Sequence, residues 1–92
     1  MEKQELKITS PTGLHARSAR IIVDELEEFE SEIILENNDV EADAGSILEL
    51  MMLAAAPGDT LHARVEGPDE QAAMEALSDL FEREFGEHEN EQ

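Results

Sequence analysis

The chain has 92 residues, and its 24 acidic against 6 basic side chains set a formal net charge of -18 with 40% of residues hydrophobic. That length suits one domain, and the lack of cysteine excludes disulfides and thiolate metal sites. So acidic a surface repels nucleic-acid phosphates and anionic lipid, which argues against both as partners.

No leader or spanning segment is legible at the amino terminus, so the expectation is a cytoplasmic protein. Periodic apolar positions distinguish the chain from a disordered polyanion. One domain is expected over residues 1–86 with a polar tail over 87–92. The charge suits a salt-rich interior, where a Debye length of about 3 Å at 1 M makes self-repulsion tolerable. No Asp-x-Asp-x-Asp-Gly loop is present, so the scattered acids read as solvating rather than metal-binding.

Glu5 to Thr9 alternates with Leu6 and Ile8 on one face and predicts a first strand. Thr9 to Gly13 are turn formers, and Ala19, Ile22, Val23 and Leu26 then recur at helical spacing. A helix is therefore expected to begin close to His15 and to run to about Phe29. The first turn of a helix leaves backbone N–H groups without internal partners and carries partial positive charge, so an anion is favoured there. With His15 at the cap, the N–H groups of Ala16, Arg17 and Ser18 are candidate donors to a phosphoryl group. A neutral imidazole nitrogen is a competent nucleophile toward phosphorus near neutral pH, and Arg17 could neutralise the incoming charge. The plainer reading of the same residues is a surface histidine that only caps the helix.

Glu32 to Asn37 predicts a second strand, Asn37-Asn38-Asp39 a tight turn, and Val40 to Ala44 a weaker third strand. Ser46 is a good helix cap with Glu49 at the reciprocal capping-box position. Leu50, Met51 and Leu53 are expected to anchor the short helix that follows, with Met51-Met52 as core filler. Ile47 and Leu48 are expected to lie partly exposed, which makes them a docking candidate beside the reactive loop. Arg20 and Met51 are placed with them as candidate docking residues.

Pro57-Gly58-Asp59 turns the chain into a fourth strand with Leu61, Ala63 and Val65 inward and Thr60, His62 and Arg64 outward. Asp69 and Glu70 mark the start of a last helix whose buried stripe is Ala73, Ala76, Leu77, Leu80 and Phe81, with Gly86 ending it. His88 falls in the polar tail without an evident role. The order strand, helix, strand, strand, helix, strand, helix implies an α+β fold with helices on one face of an antiparallel sheet.

The segment Ser10-Pro11-Thr12-Gly13-Leu14-His15-Ala16-Arg17, then Ser46 to Leu53, then Pro57-Gly58-Asp59, resembles HPr, the histidine phosphocarrier of the phosphoenolpyruvate-dependent phosphotransferase system. The resemblance runs from about Gln4 to Phe85. It implies an open-faced β-sandwich with strand order 1-4-2-3 and three helices on one face. It further implies that His15 is phosphorylated on the ring nitrogen facing the helix start, with Arg17 as its electrostatic partner. Ser46 falls on the family's second functional position, which some bacterial members use for regulatory phosphorylation, although a structural cap explains it without any kinase.

Three departures mark this chain within that resemblance. Ser18 stands where the family usually has proline, and its restored N–H either adds a donor or loosens the turn. Asp24, Glu27, Gly45 and Glu49 occupy ground where lysine is frequent, and Arg20 replaces a small residue. The resemblance implies enzyme I and an enzyme IIA as partners, no cofactor, no metal and a monomer that carries phosphoryl groups stoichiometrically. The alternative is a regulatory binding module that signals by its phosphorylation state.

Overall fold

Period-two alternation governs the sheet of the structure, a computed structural model that describes residues 1–85. Seven elements follow one another: β1 (Glu2–Lys7), α1 (Ala16–Leu26), β2 (Glu32–Asn37), β3 (Val40–Asp43), α2 (Ile47–Met52), β4 (Thr60–Glu66) and α3 (Glu70–Glu82). The strands form one antiparallel sheet in the order β1-β4-β2-β3. Leu6, Ile33, Leu35, Ala42, Leu61, Ala63 and Val65 turn to the core beneath the three helices. On the opposite, open face Lys3, Glu5, Glu36, His62 and Arg64 line a shallow groove. Between β2 and β3, Asn38 and Asp39 both take positive φ (52° and 69°), the geometry of a two-residue hairpin whose twist matches the strands.

Two of the helices bury an apolar stripe. Ala19, Ile22 and Leu26 of α1 meet Ala73, Met74, Leu77, Leu80 and Phe81 of α3 in the same core. Full burial of one such Leu or Ile contributes about 1.5–3 kcal/mol, so these positions hold the layers together. Ala76, expected in that stripe, is only partly buried, while Met74 takes a full place in it.

Several expectations are corrected. β1 begins at Glu2 rather than Glu5 and ends at Lys7 rather than Thr9. The missed residues are polar on both faces, yet their backbones pair with β4 from Glu2 opposite Val65 onward, and Gln4 reaches Ser78 of α3 with a 3.1 Å hydrogen bond. Ile8 is buried as expected but lies past the strand, tied by its N–H to the Asp59 carbonyl.

α1 stops at Leu26, three residues before the expected end, because the Phe29 N–H turns back to the Leu26 carbonyl and Asp69 takes the N–H groups of Glu30 and Ser31. α3 ends at Glu82, ahead of Gly86. Gly86, His88 and the expected polar tail lie outside the described residues.

The last correction concerns α2. Met51 and Met52 are 44% and 63% exposed rather than core. At roughly 100° per residue, Leu50 and Leu53 share the inward direction of this short helix, which turns Ile47, Leu48, Met51 and Met52 outward.

Candidate functional site

The loop before α1 is shaped by Gly13, whose φ of +70° favours glycine and whose Cβ would stand 2.7 Å from the Ala55 carbonyl oxygen. The Leu14 N–H donates to that same carbonyl at 2.9 Å while the Leu14 side chain enters the core. These contacts clamp the loop to the chain leaving α2. His15 therefore emerges half-buried at the joint between α1 and α2.

His15 is the N-cap of α1, with extended backbone (φ -139°, ψ -173°). Its Nδ1 accepts from the Arg17 N–H at 3.3 Å, so Nδ1 is the ring nitrogen that faces the helix start. The carbonyl of His15 accepts the Ala19 N–H at 2.8 Å and opens the helical ladder. No acidic residue occupies the first turn of α1, so none of its own carboxylates neutralises the positive end of the helix. Arg17 and Arg20 are both exposed; Arg20 lies 3.6 Å from Asp24, whereas Arg17 joins no ion pair among the described residues.

Ser18 acts through its side chain, a means that neither expectation named. Its side chain is fully buried, and Oγ accepts the His15 N–H at 2.9 Å and donates to the His15 carbonyl at 3.1 Å. The turn is thus held by side-chain bonds that proline could not make. Together with the His15 ring this forms a capping box in which histidine takes the cap position.

Two residues were missed as site components and read only as turn formers. Thr12 Oγ1 lies 3.0 Å from His15 Nε2, and Ser10 Oγ lies 3.2 Å from Thr12 Oγ1. Ser10 is one of three buried polar residues among the described residues. Hydroxyls three and five residues ahead of the histidine were the available signal, and only the Gly13 turn folds them onto its ring.

Ser46 caps α2, its Oγ accepting the Glu49 N–H at 3.2 Å. The reciprocal half of the expected capping box is absent: Glu49 Oε1 accepts the Asp43 N–H at 2.9 Å, and the Ser46 N–H goes to the Asp43 carbonyl. Ile47, Leu48, Met51 and Met52 expose a run of apolar side chains on the helix that abuts the His15 loop. His62 faces solvent 3.7 Å from Glu5, remote from these groups. Among the described residues no cluster of metal-ligating side chains occurs, and no helix is long and apolar enough to cross a membrane.

The model for the PTS HPr component phosphorylation site matches residues 2–83. The chain belongs to the HPr family. It is 41% identical over 87 residues to the phosphocarrier protein HPr of Xylella fastidiosa, covering 95% of this chain and 98% of that one. The HPr-like protein Crh of Halalkalibacterium halodurans is 42% identical over 84 residues, covering 91% and 100%. The crystal structure of HPr from Thermoanaerobacter tengcongensis superimposes with a TM-score of 0.89 at 38% identity over 95% of this chain and 98% of that chain, and a structure titled as an HPr dimer from the same organism is also similar. The chain is thus an HPr-family protein of the phosphotransferase system, in the open α+β fold of that family.

Proposed function

We propose that this HPr-family chain accepts a phosphoryl group on His15 Nδ1 from a phosphohistidine of enzyme I and passes it to a histidine of an enzyme IIA in sugar transport. One observation carries the reading: Nδ1 is the ring nitrogen that faces the first-turn N–H groups of α1, which it now accepts and which a phosphoryl group on it would meet. As Nδ1 shares its lone pair with phosphorus, the bond from phosphorus to the donor nitrogen breaks and its electron pair stays with the donor ring. The N–H groups of Ala16, Arg17 and Ser18 and the Arg17 guanidinium then meet the phosphoryl oxygens, so the protein's contribution is positioning and charge stabilisation.

The protein is on this reading a stoichiometric carrier rather than an enzyme, without cofactor or metal, and cytoplasmic. The grooves of about 620 and 650 Å³ do not include His15. That suits a phosphoryl group handed between protein surfaces instead of one enclosed with a small substrate. Arg20 with Ile47, Leu48 and Met51 forms the surface on which enzyme I and enzyme IIA dock. A monomer is the proposed working form, and sedimentation at micromolar concentration tests it against the dimer seen among the similar structures.

The test is phosphorylation by phosphoenolpyruvate and enzyme I, read by mass spectrometry. One acid-labile phosphoryl group is expected, and His15→Ala is expected to abolish it while leaving the circular dichroism spectrum unchanged. Labelling that survives in His15→Ala would sink the assignment.

The likeness to Crh favours one second reading, a regulatory module signalling through phosphorylation at His15 or Ser46. It predicts that phosphorylated protein binds a regulator yet supports no transfer to any enzyme IIA.

A further inference from the structure

We propose that Thr12 is a positioning residue for the phosphoryl acceptor, its hydroxyl accepting the Nε2 proton of His15 and so presenting the Nδ1 lone pair to phosphorus; this rests on the phosphocarrier reading and adds to it. A neutral imidazole carries one N–H and one lone pair. A backbone N–H can only donate, so Nδ1, which meets the Arg17 N–H at 3.3 Å, is the nitrogen with the lone pair. The ring proton therefore sits on Nε2, 3.0 Å from Thr12 Oγ1, and the threonine hydroxyl acts there as acceptor. Ser10 Oγ lies 3.2 Å from the same Thr12 oxygen and shares a hydrogen bond with it. Ser10 is 2% exposed, so the far end of this chain of hydroxyls is anchored inside the protein.

The contact strengthens as the reaction proceeds. When the Nδ1 electron pair forms the new N–P bond, the N–P bond of the donor phosphohistidine breaks and its pair remains on the donor ring. The proton stays on Nε2 throughout, and the His15 ring gains positive charge. A hydrogen bond from a charged donor is about twice as strong as a neutral one. Thr12 thus favours the transition state over the resting state, and an interaction of that kind accelerates a reaction.

The test uses the full chain with Thr12→Val, which keeps the shape and removes the hydroxyl, and Thr12→Ser, which keeps the hydroxyl. Nitrogen-15 NMR of the unphosphorylated protein reads which ring nitrogen carries the proton and how fast that proton exchanges with water. Exchange at Nε2 is expected to be about tenfold faster in Thr12→Val than in wild type and restored in Thr12→Ser. Single-turnover transfer from phosphorylated enzyme I is expected to slow about tenfold in Thr12→Val at saturating carrier, with the half-saturating concentration unchanged, and to recover in Thr12→Ser. Wild-type proton exchange in Thr12→Val overturns the proposal, as does altered exchange with a wild-type transfer rate. Failure of the wild-type protein itself to take up the group refutes the phosphocarrier reading, and the proposal with it.

Discussion

His15 and Ser18 show a first helical turn held by side-chain bonds where the family resemblance leads one to expect a proline. A proline in the first turn acts through its fixed φ and its lack of an N–H that has no partner there. Ser18 instead ties both the N–H and the carbonyl of His15 through one buried hydroxyl. Ser18→Ala is therefore expected to destabilise the protein by about 1–2 kcal/mol, the cost of losing a cap and leaving a half-buried donor without its partner. Ser18→Pro is expected to recover part of that loss by restricting the unfolded chain. Urea denaturation of the three proteins checks both, and a Ser18→Ala variant as stable as wild type would contradict the role. This residue scale was partly legible in the sequence. His15, Arg17 and Ser18 lie within one helical turn, so their meeting follows from local geometry, whereas the Thr12 contact depends on the path of the loop.

At the scale of elements, Asp69 is the joint between the start of α3 and the chain leaving α1. It stands at the cap position of α3 without capping it, and its carboxylate instead accepts the Glu30 and Ser31 N–H groups at 2.9 and 3.0 Å and a short bond from the Ser31 hydroxyl. Gly67 makes this possible, since a Cβ there would lie 2.6 Å from Ser31. The Ser31 hydroxyl and then the Glu30 N–H hold the Asp69 carboxyl below its ordinary value. A carboxyl lowered in the folded state contributes stability above its unfolded pKa of about 3.9, and that stability is lost as pH falls through the folded value. Asp69→Asn is accordingly expected to lower the thermal midpoint at pH 7, with the gap to wild type closing below about pH 4. A gap of equal size at pH 7 and pH 3 would show that the carboxylate charge is not what holds the joint. Sequence spacing suggested Asp69 only as a helix start, because its partners lie 38 and 39 residues away.

For the whole molecule the distribution of charge matters more than any pair. Lys3, Lys7 and Arg64 belong to β1 and β4, Arg17 and Arg20 lie on α1, and Arg83 pairs with Asp79 at the end of α3. The remaining surface is acidic, and its self-repulsion opposes the compact state in dilute buffer. Surface pairs such as Arg64–Glu41 at 3.1 Å offset little of this. Added salt screens the repulsion, so the thermal midpoint is expected to rise from low to molar KCl, with phosphoryl transfer retained at molar salt. A midpoint independent of salt, or activity confined to low salt, would refute the expectation of a salt-rich interior and leave the proposed His15 chemistry untouched.

What the sequence determined by itself were features governed by near neighbours. The order of the elements, the inward residues of β2 and β4, the Asn38–Asp39 hairpin and the capping histidine all follow from spacings of two to four residues, which backbone geometry converts directly into a shared face or a common turn. Tertiary structure decided what depends on a partner distant in the chain. β1 extends to Glu2 because β4 offers a ladder there, although its residues carry no apolar alternation. Met51 and Met52 face outward because the core admits only one side of α2. Glu49 leaves Ser46 for the Asp43 N–H, and the Gly13 turn, packed against Ala55, carries the Thr12 hydroxyl to His15. A hydrogen-bonding side chain goes to whichever donor or acceptor packing brings within about 3 Å, and local spacing carries no record of that choice.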